Sequence, residues 1–283
     1  MVFLRSKIVK NESYSYLVKS EWDSKKKTSK QQTIKYLGKT SDITLEDIPD
    51  EYRNESTILS FLASNKQLDT KKREKYLVKT RQNMRKFLLA GDLKNTISIY
   101  TDFSKQLSVT KFYDDVLRPA MYQIGELWDA DKLDVGDEHI ASNTAMHLIE
   151  NIGTKPKAKS KGKTILICTP DGEYHAIPCF MMETYFSLNG YDVINLAPSA
   201  PSSSIIRHIA EKKPDLILIS VTLKDHIKSC DRLIKNLKKF KVPIVIGGQA
   251  LQDGDTLDGA MVMDSPSLSE LSKTILGMIK KES

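Results

Sequence analysis

The chain has no run of about 18 consecutive apolar residues, so no membrane span is expected. Its first residues, Met1-Val-Phe-Leu-Arg-Ser-Lys7, lack a long apolar stretch and a cleavage pattern, so no signal peptide is read there. Cysteine is scarce: three among 283 residues, an odd count. Cys168, Cys179 and Cys230 lack metal-ligand spacing and fit free, mostly buried thiols in a reducing cytoplasm. Residues 41–283 carry no net charge, with 33 Lys and Arg against 33 Asp and Glu. The whole excess of seven lies in residues 1–40, with ten basic residues against three acidic ones. Nucleic acid is therefore a candidate partner for residues 1–40, although a solvated Lys-rich surface accounts for the same charge. At 40% hydrophobic residues the chain can bury an ordinary core, and its length allows two or three domains.

Four stretches follow from the patterning. Residues 1–68 read as a small basic domain containing a β-hairpin. Tyr14, Tyr16 and Val18 share one strand face and Ile34 and Tyr36 another, with the polar turn Asp23-Ser-Lys-Lys-Lys-Thr-Ser-Lys30 between them. The run Tyr14-Ser-Tyr-Leu-Val18 with Thr33-Ile-Lys-Tyr-Leu-Gly38 resembles the N-terminal β-element of some transposase-like proteins. Ser41 to about Leu68 reads as a helical extension, with Asp42 and Thr44 at cap positions. Residues 69–152 read as a four-helix bundle: Tyr76, Met84, Phe87 and Leu88 have helical spacing. Gly91-Asp92 interrupts the pattern, and Asp92 or Asn95 suits the next cap. A helix from about Thr110 to Ala130 contains Pro119, which predicts a kink or junction. Another runs from Val135 to Ile152. Residues 153–163 form an apolar-poor, Lys-rich linker.

Residues 164–283 alternate strands (164–169, 192–196, 216–221, 244–246, 260–263) with helices (176–189, 202–212, 226–239, 267–281). That pattern predicts a flavodoxin-like, Rossmann-like five-stranded parallel sheet of order 2-1-3-4-5. Ligands bind such sheets outside the carboxyl ends of the strands. The loop after the first strand, Pro170-Asp-Gly-Glu-Tyr-His175, is not Gly-x-Gly-x-x-Gly, and these loops carry no Gly-Lys-Ser/Thr. The third strand does not end in the aspartate of a phosphoacceptor domain. What the loops offer is Glu173 and His175, then Ser220-Val-Thr222, then Gly247-Gly248. An imidazole with a carboxylate to orient it is a candidate metal or cofactor ligand. Small residues after the third and fourth strands leave room for a bulky group.

Glu173-Tyr-His175, Ser220-Val-Thr222 and Gly247-Gly248 together resemble the cobalamin-binding domain. The resemblance implies that His175 is the lower axial cobalt ligand, supported by Glu173. It also implies that the displaced dimethylbenzimidazole tail passes Ser220, Thr222 and the Gly247-Gly248 loop. The family often has Gly three residues after the histidine where this chain has Pro178, which leaves the start of the next helix open.

Upstream, Trp128 is followed after nine residues by Glu138-His139, then Ala141-Ser142. This resembles the CarH/LitR type of light-sensing cobalamin regulator. The resemblance implies that Trp128 and Glu138 enclose the upper adenosyl group and that His139 ligates cobalt after illumination. Those regulators begin with a helix-turn-helix, which this chain replaces with its β-element. Ordinary core for Trp128 and a surface position for His139 are the plainer alternatives; His147, His208 and His226 read as structural. The expectation is a cytoplasmic cobalamin-binding sensor, not an enzyme. Adenosylcobalamin is favoured over methylcobalamin, and a homo-oligomer is compatible with the sequence. The alternatives are a corrinoid carrier of a methyltransferase system and a cofactor-free interaction module.

Overall fold

A computed structural model describes all residues except 1, 10, 11, 24–27, 41, 65–69, 106, 107, 253 and 280–283. The middle of the expected basic turn and the boundary at Leu68 lie outside the described residues. The chain forms two compact units, Met1–Asp134 and Val135–Ser283.

In the first unit, strands β1 (Val2–Val9), β2 (Glu12–Asp23) and β3 (Thr28–Lys39) make an antiparallel sheet of that order. The sequence pattern had suggested only the β2–β3 hairpin. Val2, Leu4 and Leu17 turn inward against Ile43 and Ile48 and against Ile58 and Leu62 of helix α1 (Ser56–Ser64). Full burial of each such aliphatic side chain contributes roughly 1.5–3 kcal/mol. Within the expected helical extension, α1 is preceded by two short 3-10 turns, Leu45–Asp47 and Asp50–Tyr52, and the Thr44 amide donates to Asp47 Oδ2 at 2.7 Å.

Helices α2 (Thr70–Leu89) and α3 (Leu93–Ser104) meet at Gly91, whose φ of +66° suits glycine, and Asp92 caps α3 by accepting the Asn95 amide at 3.0 Å. The next helix is continuous but changes character. α4 (Val109–Phe112) passes through a π-helical turn, Tyr113–Leu117, into α5 (Arg118–Asp129). Pro119 has no amide hydrogen, so the Asp115 carbonyl loses its intrahelical donor. Arg81 of α2 replaces it, its Nε donating to that carbonyl at 2.8 Å. Met84, Leu88, Phe103, Phe112, Val116, Leu117 and Ile124 are buried in this bundle.

The second unit starts with α6 (Val135–Gly153), which the sequence pattern groups with the preceding helices. In the structure it packs along α7 (Ile177–Leu188), where Gly153 leaves Thr184 room at 3.7 Å from an added Cβ. The parallel sheet has order β5-β4-β6-β7-β8, formed by β4 (Thr164–Cys168), β5 (Asp192–Asn195), β6 (Leu216–Ser220), β7 (Ile244–Gly248) and β8 (Met261–Asp264). This is the expected 2-1-3-4-5 order. β6 is buried throughout, as a central strand covered on both faces must be. Helices α8 (Ser202–Lys212) and α9 (Ile227–Leu237) cover one face, where Ile205, Ile209, Leu233 and Leu237 meet Leu166, Ile217 and Ile219. On α7, Tyr185 bonds Ser272 of α10 (Leu268–Ile279) at 2.7 Å.

Residues 154–163 are not a free tether. The Ala158 amide donates to the Leu188 carbonyl at 2.9 Å and the Lys161 amide to Gly190 at 2.8 Å. Lys161 also lies over the Tyr191 ring. Among the described residues no helix is long and apolar enough to cross a membrane.

Candidate functional site

Buried β4 delivers its loop at the switch point beside β6. Thr169 Oγ1 donates to the Glu173 carbonyl at 2.9 Å and accepts the Ser199 amide at 2.8 Å. The Gly172 amide donates to Ser199 Oγ at 2.9 Å. Gly172 has φ of +89°, and a Cβ there would stand 3.0 Å from the His226 ring. A side chain at 172 is thus resisted by backbone conformation and by His226 together.

This folding sends Glu173 inward, Tyr174 outward and His175 to the rim. The Glu173 carboxylate is fully buried and fully used. Oε1 accepts the His175 amide at 3.0 Å and His175 Nδ1 at 2.6 Å. Oε2 accepts the amides of Thr222 and Leu223, both at 2.9 Å. Burial pushes this carboxyl up, but the hydrogen bonds from His175, Leu223 and Thr222 outweigh it and bring it down to about 2. Glu173 is therefore ionised, and an ionised carboxylate only accepts. Nδ1 of His175 must carry the proton, which leaves Nε2 as the nitrogen offered outward when the ring is neutral. The imidazole is half-exposed. Its own pKa is raised, first by the bond to Glu173, which outweighs burial, and further by the charges of Glu173 and of Glu138 on α6.

The other predicted residues fall into place around this unit. Ser220 is buried at the end of β6, and Thr222 follows two residues on. Thr222 holds Glu173 through its backbone amide. Gly248 has φ of +132°, and a Cβ there would lie 2.0 Å from the Val221 carbonyl oxygen. A Cβ on Gly247 would meet Pro266 at 3.2 Å. These glycines let the β6 and β7 loops close on each other: the Val221 amide donates to Gly247 and the Ala250 amide to Val221. In the direction a Cβ would take, Gly248 meets the Val221 backbone.

Glu138 and His139 open α6. Glu138 Oε1 accepts Ser142 Oγ and Oε2 meets His139 Nδ1 at 2.9 Å. The His139 ring is 69% exposed. Trp128 lies on α5 of the first unit, 48% exposed rather than core. His147 bonds Glu150, His208 the Ser204 carbonyl, and His226 backs Gly172. The three thiols are buried, and burial raises Cys179 and Cys230. Among the described residues no three His, Cys, Asp or Glu side chains gather into a metal cage. A lone oriented imidazole fits a metal that arrives with its other ligands, as the cobalt of a corrin does. What the sequence did not disclose is the pair of backbone amides on Glu173 and the Thr169–Ser199 latch, neither of which has a side-chain spacing signature.

Comparison with known proteins agrees with this geometry. Family models described as B12 binding domains match residues 163–263 and residues 80–152. An uncharacterized 20.5 kDa protein of Rhodobacter capsulatus is 30% identical over 137 residues, 46% of this chain and 70% of that protein. The HTH-type transcriptional repressor CarH of Myxococcus xanthus is 22% identical over 174 residues, 60% of this chain and 58% of the repressor. The chain therefore spans little more than half of that regulator's length. The Methanosarcina barkeri monomethylamine corrinoid protein has the same fold, with a TM-score of 0.58 at 16% identity over 70% of this chain and 98% of that one.

Proposed function

Because the chain belongs to the B12-binding-domain family, we propose that it is a cobalamin sensor, not an enzyme, that responds to light through adenosylcobalamin and reports through residues 1–40 to nucleic acid. The observation that carries the cobalamin reading is the Glu173–His175 unit, an imidazole with one nitrogen locked by a buried carboxylate and the other facing outward. His175 would hold the cobalt, and Ser220, Thr222 and the Gly247-Gly248 turn would hold the dimethylbenzimidazole tail. Glu138 and Trp128 would enclose the upper group. When bound, adenosylcobalamin supplies a cobalt–carbon bond that visible light cleaves. His139 would serve as a second histidine ligand to the cobalt. Its exposure and its tether to Glu138, the same carboxylate that acts on His175, support that role.

The test is the absorption spectrum of dark-purified chain loaded with adenosylcobalamin, before and after green light. The parent should change irreversibly to a bis-imidazole spectrum. His139→Ala should lose adenosyl but stop at an aquo form, and His175→Ala should show no histidine-ligated spectrum in the dark. An unchanged parent spectrum after light would remove the photosensor reading and leave the cobalamin site standing.

A second reading is a corrinoid carrier of a methyltransferase system, favoured by the likeness to two Methanosarcina corrinoid proteins, 24% and 25% identical over 146 and 139 residues. Preference for methylcobalamin, with methyl loss only when a methyltransferase is added, would select it.

A further inference from the structure

One face of the first unit's sheet has a composition the fold does not use. Val2, Leu4 and Leu17 turn toward α1. Alternation sends Arg5 and Lys7 of β1 and Tyr14, Tyr16 and Trp22 of β2 to the opposite face. Register sets Arg5 against Tyr16 and Lys7 against Tyr14, and on the other side Tyr36 against Tyr16 and Lys39 against Tyr14. The rings form a cluster: Tyr16 to Tyr36 is 5.1 Å and Tyr14 to Tyr36 is 6.5 Å between centroids. Tyr36 is 54% exposed and Trp22 67%. Arg5 Nη1 donates to Gln31 Oε1 at 2.8 Å across β2, which keeps the guanidinium over the sheet.

Scattered exposed aromatics need no explanation, but a cluster of them among cations on a flat sheet does. A protein partner would favour a face poor in lysine. A duplex hides its base faces from a flat aromatic surface. A single strand offers both a π-face on every base and a phosphate on every nucleotide.

We propose that this face binds single-stranded nucleic acid, with bases stacking on Tyr36, Tyr16 and Trp22 and phosphates meeting Arg5, Lys7 and Lys39. The proposal deepens the output role given above to residues 1–40 and rests on it, but needs neither cobalamin nor light.

The test is fluorescence anisotropy of the full chain, in the dark and without cobalamin, titrated against labelled oligothymidylate of about 20 nucleotides and against a duplex of equal length. The single strand should bind more tightly. Tyr36→Ala and Trp22→Ala should each weaken it about tenfold, and Tyr36→Phe should bind like the parent. Arg5→Gln and Lys7→Gln should each lower the salt slope by about one contact. Absence of binding, equal or stronger duplex binding, or Ala variants that bind like the parent would overturn the proposal. So would concentration-dependent self-association that Tyr36→Ala abolishes. None of these results touches the corrinoid spectra, so the two readings fail separately.

Discussion

Glu173 gives both carboxylate oxygens to the protein. Four N–H donors converge on it, two from His175 and one each from Thr222 and Leu223. A carboxamide cannot satisfy them, because one half of it is itself a donor. Glu173→Gln should therefore cost about 1–3 kcal/mol of stability by urea unfolding. By loosening the His175 ring it should also weaken cobalamin binding about 10–100-fold by titration. Gly248→Ala places a methyl against the Val221 carbonyl at a backbone angle alanine resists. It should cost about 2 kcal/mol or more, read as a lowered unfolding midpoint with secondary structure retained at low temperature. The sequence shows Glu173 and His175 plainly, because an acid and an imidazole two residues apart after a strand is a side-chain signal. It cannot show the Thr222 and Leu223 amides, since every residue has one and only the fold aims it. For the same reason the sequence cannot show that the Cβ side of Gly248 abuts the Val221 main chain.

At the scale of elements, periodicity located the parallel-sheet strands to within a residue or two and missed β1. Phe3 lies on the outward side of that strand with Arg5 and Lys7, so apolar residues occupy both parities and the period of two is lost. The π-helical turn was also hidden. Pro119 announces a disturbance, but which side chain serves the orphaned Asp115 carbonyl depends on how α2 packs. Arg81→Leu should leave that carbonyl unserved and cost about 1–3 kcal/mol, measured by thermal unfolding. The strap before β4 gives a pH prediction. Asp215 accepts Lys163 Nζ at 2.9 Å and the Thr164 amide at 2.8 Å. Burial raises its pKa, but these two bonds, Lys163's first, bring it below the ordinary 3.8. A depressed carboxyl stabilises the fold above its unfolded pKa and loses that contribution as pH falls through the folded one. Stability should thus decline below pH 3.8, and Asp215→Asn should flatten that decline by no more than about 1 kcal/mol. An acid limb identical in parent and variant would contradict it.

At the scale of the whole molecule, the Glu173–His175 unit is closed by the Thr222 and Leu223 amides, 49 and 50 residues further along the chain from Glu173. Glu138, His139, Glu173 and His175 belong to the second unit and Trp128 to the first. Charge asymmetry, the strand–helix alternation and the loop residues made the architecture and the corrinoid chemistry legible. The use of the N-terminal sheet became legible only when register placed Tyr16, Tyr36, Arg5 and Lys7 on one face. The central claim is that the His175 imidazole ligates cobalt. The most direct measurement is the electron paramagnetic resonance spectrum of the chain loaded with cob(II)alamin, produced with ordinary histidine and with histidine whose ring nitrogens are the heavy isotope. If His175 is the axial ligand, the superhyperfine triplet of the ordinary sample becomes a doublet on labelling and disappears in His175→Ala. A triplet that survives labelling would mean that the dimethylbenzimidazole tail stays on cobalt, and would contradict the account.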